Sequence, residues 1–194
     1  MTDEQNGQHR PDGFADAVVL LDENGHPCGL ADRTRVHTSD TPLHLAFSIH
    51  LRDETGAVLV TRRALGKPTW PGVWTNSCCG HPRPGESMDD AIRRRVEQEL
   101  GLQVSDIHCV LPEYRYRAVD SSGVVENEVC PVHLGTVRRS QLRPDPGEVA
   151  EYGWVSWSHL VATAASLPML LSPWSVEQIS RIQQGGVVDP WERD

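Results

Sequence analysis

The chain has 194 residues, 38 % of them hydrophobic and 23 % charged, which is enough to build one domain around a sizeable core. A formal net charge of −9 argues against a nucleic-acid partner, although a local cluster of Arg and Lys can still receive a small anion. No apolar run is long enough to span a membrane, and the polar start lacks the apolar centre of an export signal. The odd set of five cysteines is therefore expected to stay reduced in a cytoplasmic protein, with no strained bridge between neighbours Cys78 and Cys79.

In chain order, residues 1–13 read as a disordered tail, residues 14–184 as a single domain and residues 185–194 as a second tail. Residues 14–22 (FADAVVLLD) predict a buried strand ending in a Gly-His-Pro turn. Residues 43–51 and 57–63 predict two strands around the turn DETG. The Gly-, Pro- and Trp-rich stretch 70–86 predicts a shaped loop. Residues 87–101 give the clearest helix: Ser87 and Asp90 form a capping pattern, Ala91, Ile92, Val96 and Leu100 an apolar stripe, and Gly101 a C-terminal stop. Residues 107–119 and 124–137 predict a hairpin about DSSG. Residues 151–160 start as a strand and turn helical, and residues 172–183 form a last helix. The expected class is α/β (α+β), a mixed sheet flanked by helices.

Gly80, Glu86, Arg94, Glu99, Gly101 and Leu102 are spaced as in the Nudix box, G-x5-E-x7-R-E-U-x-E-E-x-G-U with U aliphatic, and the segment resembles it. Such a loop–helix unit holds Mg²⁺ against a diphosphate. Two positions depart from the pattern: Arg95 and Gln98 stand where the box has glutamates. Hydrolytic members of the family need those carboxylates for metal and water. A charged helix face with no function is the bland alternative.

His37, His44 and His81, with Glu126 and Glu128, form a second group. On a strand, residues 126 and 128 face the same way, so both carboxylates can reach one ion. Three imidazoles and two carboxylates suit Mn²⁺, Mg²⁺ or Zn²⁺. Spacing alone does not bring the five together.

The blocks HTSDTPLHLAFS, LVTRRALGKPTWPGVWTNSCCGHP, YRYRA and GVVENEVCPV resemble the type 1 isopentenyl-diphosphate isomerases, a Nudix-fold family, from about Val18 to Trp174. The resemblance implies a Nudix-like fold and interconversion of isopentenyl and dimethylallyl diphosphate. It implies Cys79 as a catalytic thiol, Glu128 and Tyr116 as a proton-handling pair, and His37, His44, His81, Glu126 and Glu128 as metal ligands. Glu99 would hold a diphosphate-bound Mg²⁺, Arg33, Arg63, Lys67 and Arg95 would lie near the diphosphate, and Trp174 would shield the pocket. The implied partner is a small molecule, with neither nucleic acid nor membrane, and the chain is expected to act as a monomer. Two other readings stand beside it: a nucleotide pyrophosphohydrolase, against which Arg95 and Gln98 speak, and a metal- or polyphosphate-binding module without activity.

Overall fold

The computed structural model describes residues 16–184 and 189–191, so the expected N-terminal tail lies outside the described residues. β1 (Ala17–Leu21) and β2 (Pro27–Asp32) form an antiparallel hairpin, followed by β3 (His44–Leu45), β4 (Phe47–Arg52) and β5 (Ala57–Arg63). Two short strands, β6 (Trp74–Thr75) and β7 (Cys78–Gly80), precede α1 (Met88–Leu100). β8 (Ser105–Leu111), β9 (Arg115–Val119), β10 (Val125–Val129) and β11 (Val132–Thr136) come next. The described chain then forms β12 (Val149–Ser156), α2 (Trp157–Ser166) and α3 (Pro173–Gln184).

The two predicted turns share one construction. In DETG, Asp53 Oδ1 accepts from the Thr55 and Ala57 amides; in DSSG, Asp120 Oδ1 accepts from those of Ser122 and Val124. Each ends in a glycine with positive φ, Gly56 at 86° and Gly123 at 88°, a region that costs other residues steric strain. α1 is capped as expected. The Asp90 amide donates to Ser87 Oγ at 3.2 Å, and Gly101 closes the helix in the left-handed region.

The strands expected as continuous are broken. The expected strands 43–51, 107–119 and 124–137 each leave one sheet and enter another, at Ala46, around Pro112–Tyr114 and at Cys130–Pro131. One sheet has the order β2-β1-β3-β10-β9 and the other β12-β5-β4-β11-β8, with β6 on β5 and β7 on β4. Proline at 131 cannot donate to a ladder, which favours a break there. The Ala46 amide still donates to the Val129 carbonyl and Ser48 to that of Pro131, so the parallel pairing runs through the bend. Strand β2 was not anticipated, because its burial pattern is exposed and carries no alternation signal. The stretch expected as loop contains β6 and β7.

The second sheet is covered on both faces. Phe47, Ile49 and Leu51 alternate toward α1 and join Ala91, Ile92, Val96 and Leu100; each large aliphatic buried there contributes about 1.5–3 kcal/mol. Val58, Val60, Val132 and Leu134 belong to the opposite layer, with Trp157 and Leu160 of α2 and Ile179 and Ile182 of α3. Part of the expected C-terminal tail packs on this layer: Trp191 is buried and its indole N–H donates to the Gly135 carbonyl at 3.1 Å. No helix among the described residues is long and apolar enough to cross a membrane.

Candidate active site

The bend between sheets brings the metal-type residues together. Parallel pairing of β3 with β10 sets His44 beside Glu128, and β9 sets Tyr116 opposite Glu128. His81 follows directly after β7, and His37 approaches from the loop before β3. The three ring centroids lie 5.0–5.6 Å apart. Glu128 Oε1 lies 3.1 Å from His81 Nε2 and 3.4 Å from His44 Nε2, while Glu126 Oε2 lies 3.1 Å from His37 Nε2.

These contacts fit a bound cation. His44 Nδ1 is 2.9 Å from the Pro42 carbonyl, which only accepts, so in the neutral ring Nδ1 carries the proton and Nε2 a lone pair. That lone pair faces a carboxylate and, at 3.2 Å, the Nε2 of His81. His37 Nε2 is buried with no aligned hydrogen-bond partner. His37, His44, His81 and Glu128 offer ligand atoms within 4.8 Å of one another, so a positive ion among them removes the repulsion. Glu126 is outside that tightest group but touches His37.

Electrostatics within the cluster are uneven. Burial pushes the Glu128 carboxyl up, but His44 and His81 outweigh it and hold the group well below the carboxylate range. Burial also opposes charge on both rings. For His44, Glu128 wins and the ring is raised; for His81, burial wins, helped by repulsion from His44 and His37, and the ring is lowered.

A cavity of about 580 Å³ opens beside this cluster and is lined by every residue to which the isomerase resemblance gave a role except His44. Cys79 pairs with Ser48 across β7 and β4, and burial pushes its thiol up to about 11, against the hydrogen bonds it shares with Ser48 and Asn76. Cys78 lies on the other face of β7, buried in the layer beneath α1. The Tyr116 hydroxyl donates to Glu128 Oε2 at 3.0 Å, and burial keeps that phenol protonated. Trp174 is buried, tilted over Tyr116 at 5.6 Å and edge-on to Trp70 at 5.5 Å. Its indole N–H donates to Asn76 Oδ1.

Basic side chains line the cavity. Arg63 reaches Thr69 through Nε and Nη2, Arg33 pairs with Asp16 at 2.6 Å, and Lys67 pairs with Glu148. Arg95 pairs with Glu99 one turn along α1 and lies 3.4 Å from Glu148. Gly80 leaves room for it: a Cβ there would stand 2.8 Å from Arg95 Cγ. The Glu86–Arg94 pair of the box is formed at 2.7 Å, and Arg94 Nη2 donates to the His81 carbonyl, fixing the loop to the helix.

The structure thus brings every predicted site residue to one region. Sequence reasoning missed Glu148, Asn76 and Ser48. Asn76 and Ser48 lay inside quoted motif blocks, but Glu148, in an ordinary Pro-Gly-Glu turn, gave no signal.

The loop–helix unit and mixed sheets define a Nudix domain, and the family model for the NUDIX domain matches residues 42–174. A Deinococcus radiodurans protein of known crystal structure superposes with a TM-score of 0.65 at 19 % identity, over 86 % of this chain and 98 % of its own. Two closer relatives carry the name isopentenyl-diphosphate Delta-isomerase. The Frankia alni protein is 57 % identical over 87 % of both chains, and the Mycolicibacterium vanbaalenii protein 53 % over 89 % of this chain and 94 % of its own. The chain belongs to this isomerase family, built on the Nudix fold.

Proposed function

We infer that the chain interconverts isopentenyl diphosphate and dimethylallyl diphosphate. The observation that carries this is one cavity in which Cys79 and the Tyr116–Glu128 pair stand beside three converging imidazoles. The reaction adds a proton to the terminal carbon of an unactivated alkene and removes one from the neighbouring CH₂, so it needs two proton carriers. Cys79 is one carrier and Glu128, hydrogen-bonded to Tyr116, is the other; they exchange roles in the reverse direction. The indole of Trp174 stabilises the cationic centre by on the order of 2 kcal/mol in a water-poor pocket. Keeping water out prevents capture of that centre as an alcohol.

His37, His44, His81, Glu126 and Glu128 would hold a Mn²⁺, Zn²⁺ or Mg²⁺ ion, and Glu99 a Mg²⁺ bound with the diphosphate. Such ions, when bound, orient the carboxylates and neutralise phosphate charge. Arg33, Arg63, Lys67 and Arg95 bind the diphosphate. Hydrolysis is disfavoured because Arg95 and Gln98 replace carboxylates and Glu99 is already paired with Arg95. The five free thiols support a cytoplasmic setting.

Incubation of isopentenyl diphosphate with the protein and Mg²⁺ in D₂O tests the reading. Dimethylallyl diphosphate should form with deuterium in the new methyl group. Release of inorganic phosphate without that product would move the chain to the hydrolases.

A further inference from the structure

Ser48 and His50 occupy the face of β4 that looks toward α2 and α3, where the neighbouring strands carry aliphatic side chains. Both are fully buried. Polar groups in such a layer need partners, and here they find them in a connected row. His50 Nε2 lies 3.2 Å from Gln178 Oε1, an acceptor, so the ring donates to the amide. Gln178 Nε2 donates to Ser48 Oγ at 2.9 Å, and Ser48 Oγ lies 3.2 Å from Cys79 Sγ.

Beyond the sulfur the row ends on Asn76. Its Nδ2 donates to the carbonyls of Ile49 and Cys78, which only accept, so Oδ1 is turned toward Cys79 Sγ at 3.3 Å. A carbonyl oxygen cannot donate, so the Cys79 thiol gives its proton to Asn76. Ser48 Oγ, taking the Gln178 amide proton, directs its own hydrogen at the sulfur. Cys130 Sγ, 3.4 Å from Ser48 Oγ, is left as a donor to it. Every link then runs the same way, from His50 through Gln178 and Ser48 to Cys79 and Asn76. Links aligned in this manner polarise one another.

We propose that Ser48 and Gln178 are positioning residues for the isomerisation: the row from α3 holds the Cys79 sulfur in one rotamer, with its proton aimed along one direction. This rests on the functional reading above. Neither residue lines the cavity, so substrate binding should be indifferent to them while the chemical step is not.

Steady-state kinetics with isopentenyl diphosphate separate the roles. Ser48→Ala should lower kcat about tenfold and leave KM within about twofold, the loss of one directed hydrogen bond. Gln178→Met, similar in length but without the amide, should lower kcat by roughly threefold. In the Ser48→Ala background it should add nothing, because Gln178 acts through Ser48. Independent, multiplying losses would overturn the relay, as would a rise in KM at constant kcat. If Ser48→Ala does not fold, Gln178→Met alone decides: kcat equal to wild type overturns the proposal. Absent turnover by the wild-type protein defeats the functional reading instead, and the relay with it.

Discussion

Successive side chains on a strand point to opposite faces, and β7 uses this to separate two sulfurs. Both border the cavity, but Cys78 is buried with Phe47, Ile49 and Val96 beneath α1, whereas Cys79 meets Ser48 and Asn76 on the other face. Cys78→Ala should therefore keep most turnover and lose some packing. Cys79→Ala should lose about 10²- to 10⁴-fold in kcat, the worth of a positioned proton carrier. Measuring the two variants side by side checks this, and a dead Cys78→Ala beside an active Cys79→Ala would reverse the assignment. The motif block made Cys79 legible in the sequence. The hydrogen-bonded row behind its sulfur was not, because Ser48 and Gln178 are 130 residues apart and neither type announces a buried partner.

Among the elements, α1 was read correctly from end to end, since caps and stripe are local signals. Gly101 ends it at φ 65°, and a Cβ there would stand 2.9 Å from Arg143 Cβ and 3.0 Å from the Arg143 carbonyl oxygen. Gly101→Ala should cost about 1–2 kcal/mol for the left-handed backbone alone, read as a lower urea midpoint. Asn tolerates that backbone but also carries a Cβ. If the contact with Arg143 matters, Gly101→Asn should be destabilised nearly as much as Ala; a neutral Gly101→Asn would assign the effect to φ alone. Strand continuity was the opposite case. Apolar runs such as residues 124–137 look unbroken because both halves are buried, although they serve different sheets.

Across the whole molecule, the bend between sheets decides where charge and metal can sit. Removing His37 and His81 together should abolish retention of a tightly bound divalent ion, measured by elemental analysis; retention at the wild-type ratio would count against the site. Acid stability has a separate source in His50, whose neutral ring is buried between α3 and Trp157. Burial lowers its pKa to about 4. As pH falls below about 6.5, the unfolded chain takes up a proton that the folded chain refuses until about pH 4. Stability present above 6.5 is thus lost through that window, about 1.4 kcal/mol per unit. His50→Gln should make the loss between pH 7 and pH 5 smaller by about 2 kcal/mol. An unchanged loss in urea titrations would refute the role.

By itself the sequence determined the family, the chemical types at the site and the local structure of α1 and the two Asp-to-Gly turns. Those follow from short-range rules: caps, turn residues and a motif whose spacing spans one loop and one helix. What only the tertiary structure decided is the company each side chain keeps. Ala46, Pro112–Tyr114 and Cys130–Pro131 carry three segments from one sheet into the other, and this sets His44, Tyr116 and Glu128 beside Cys79. The turn before β12 brings Glu148 to Lys67 and Arg95, and the docking of α3 brings Gln178 to Ser48. Contacts between residues so far apart depend on long-range strand register and helix docking, for which no local pattern exists in the chain.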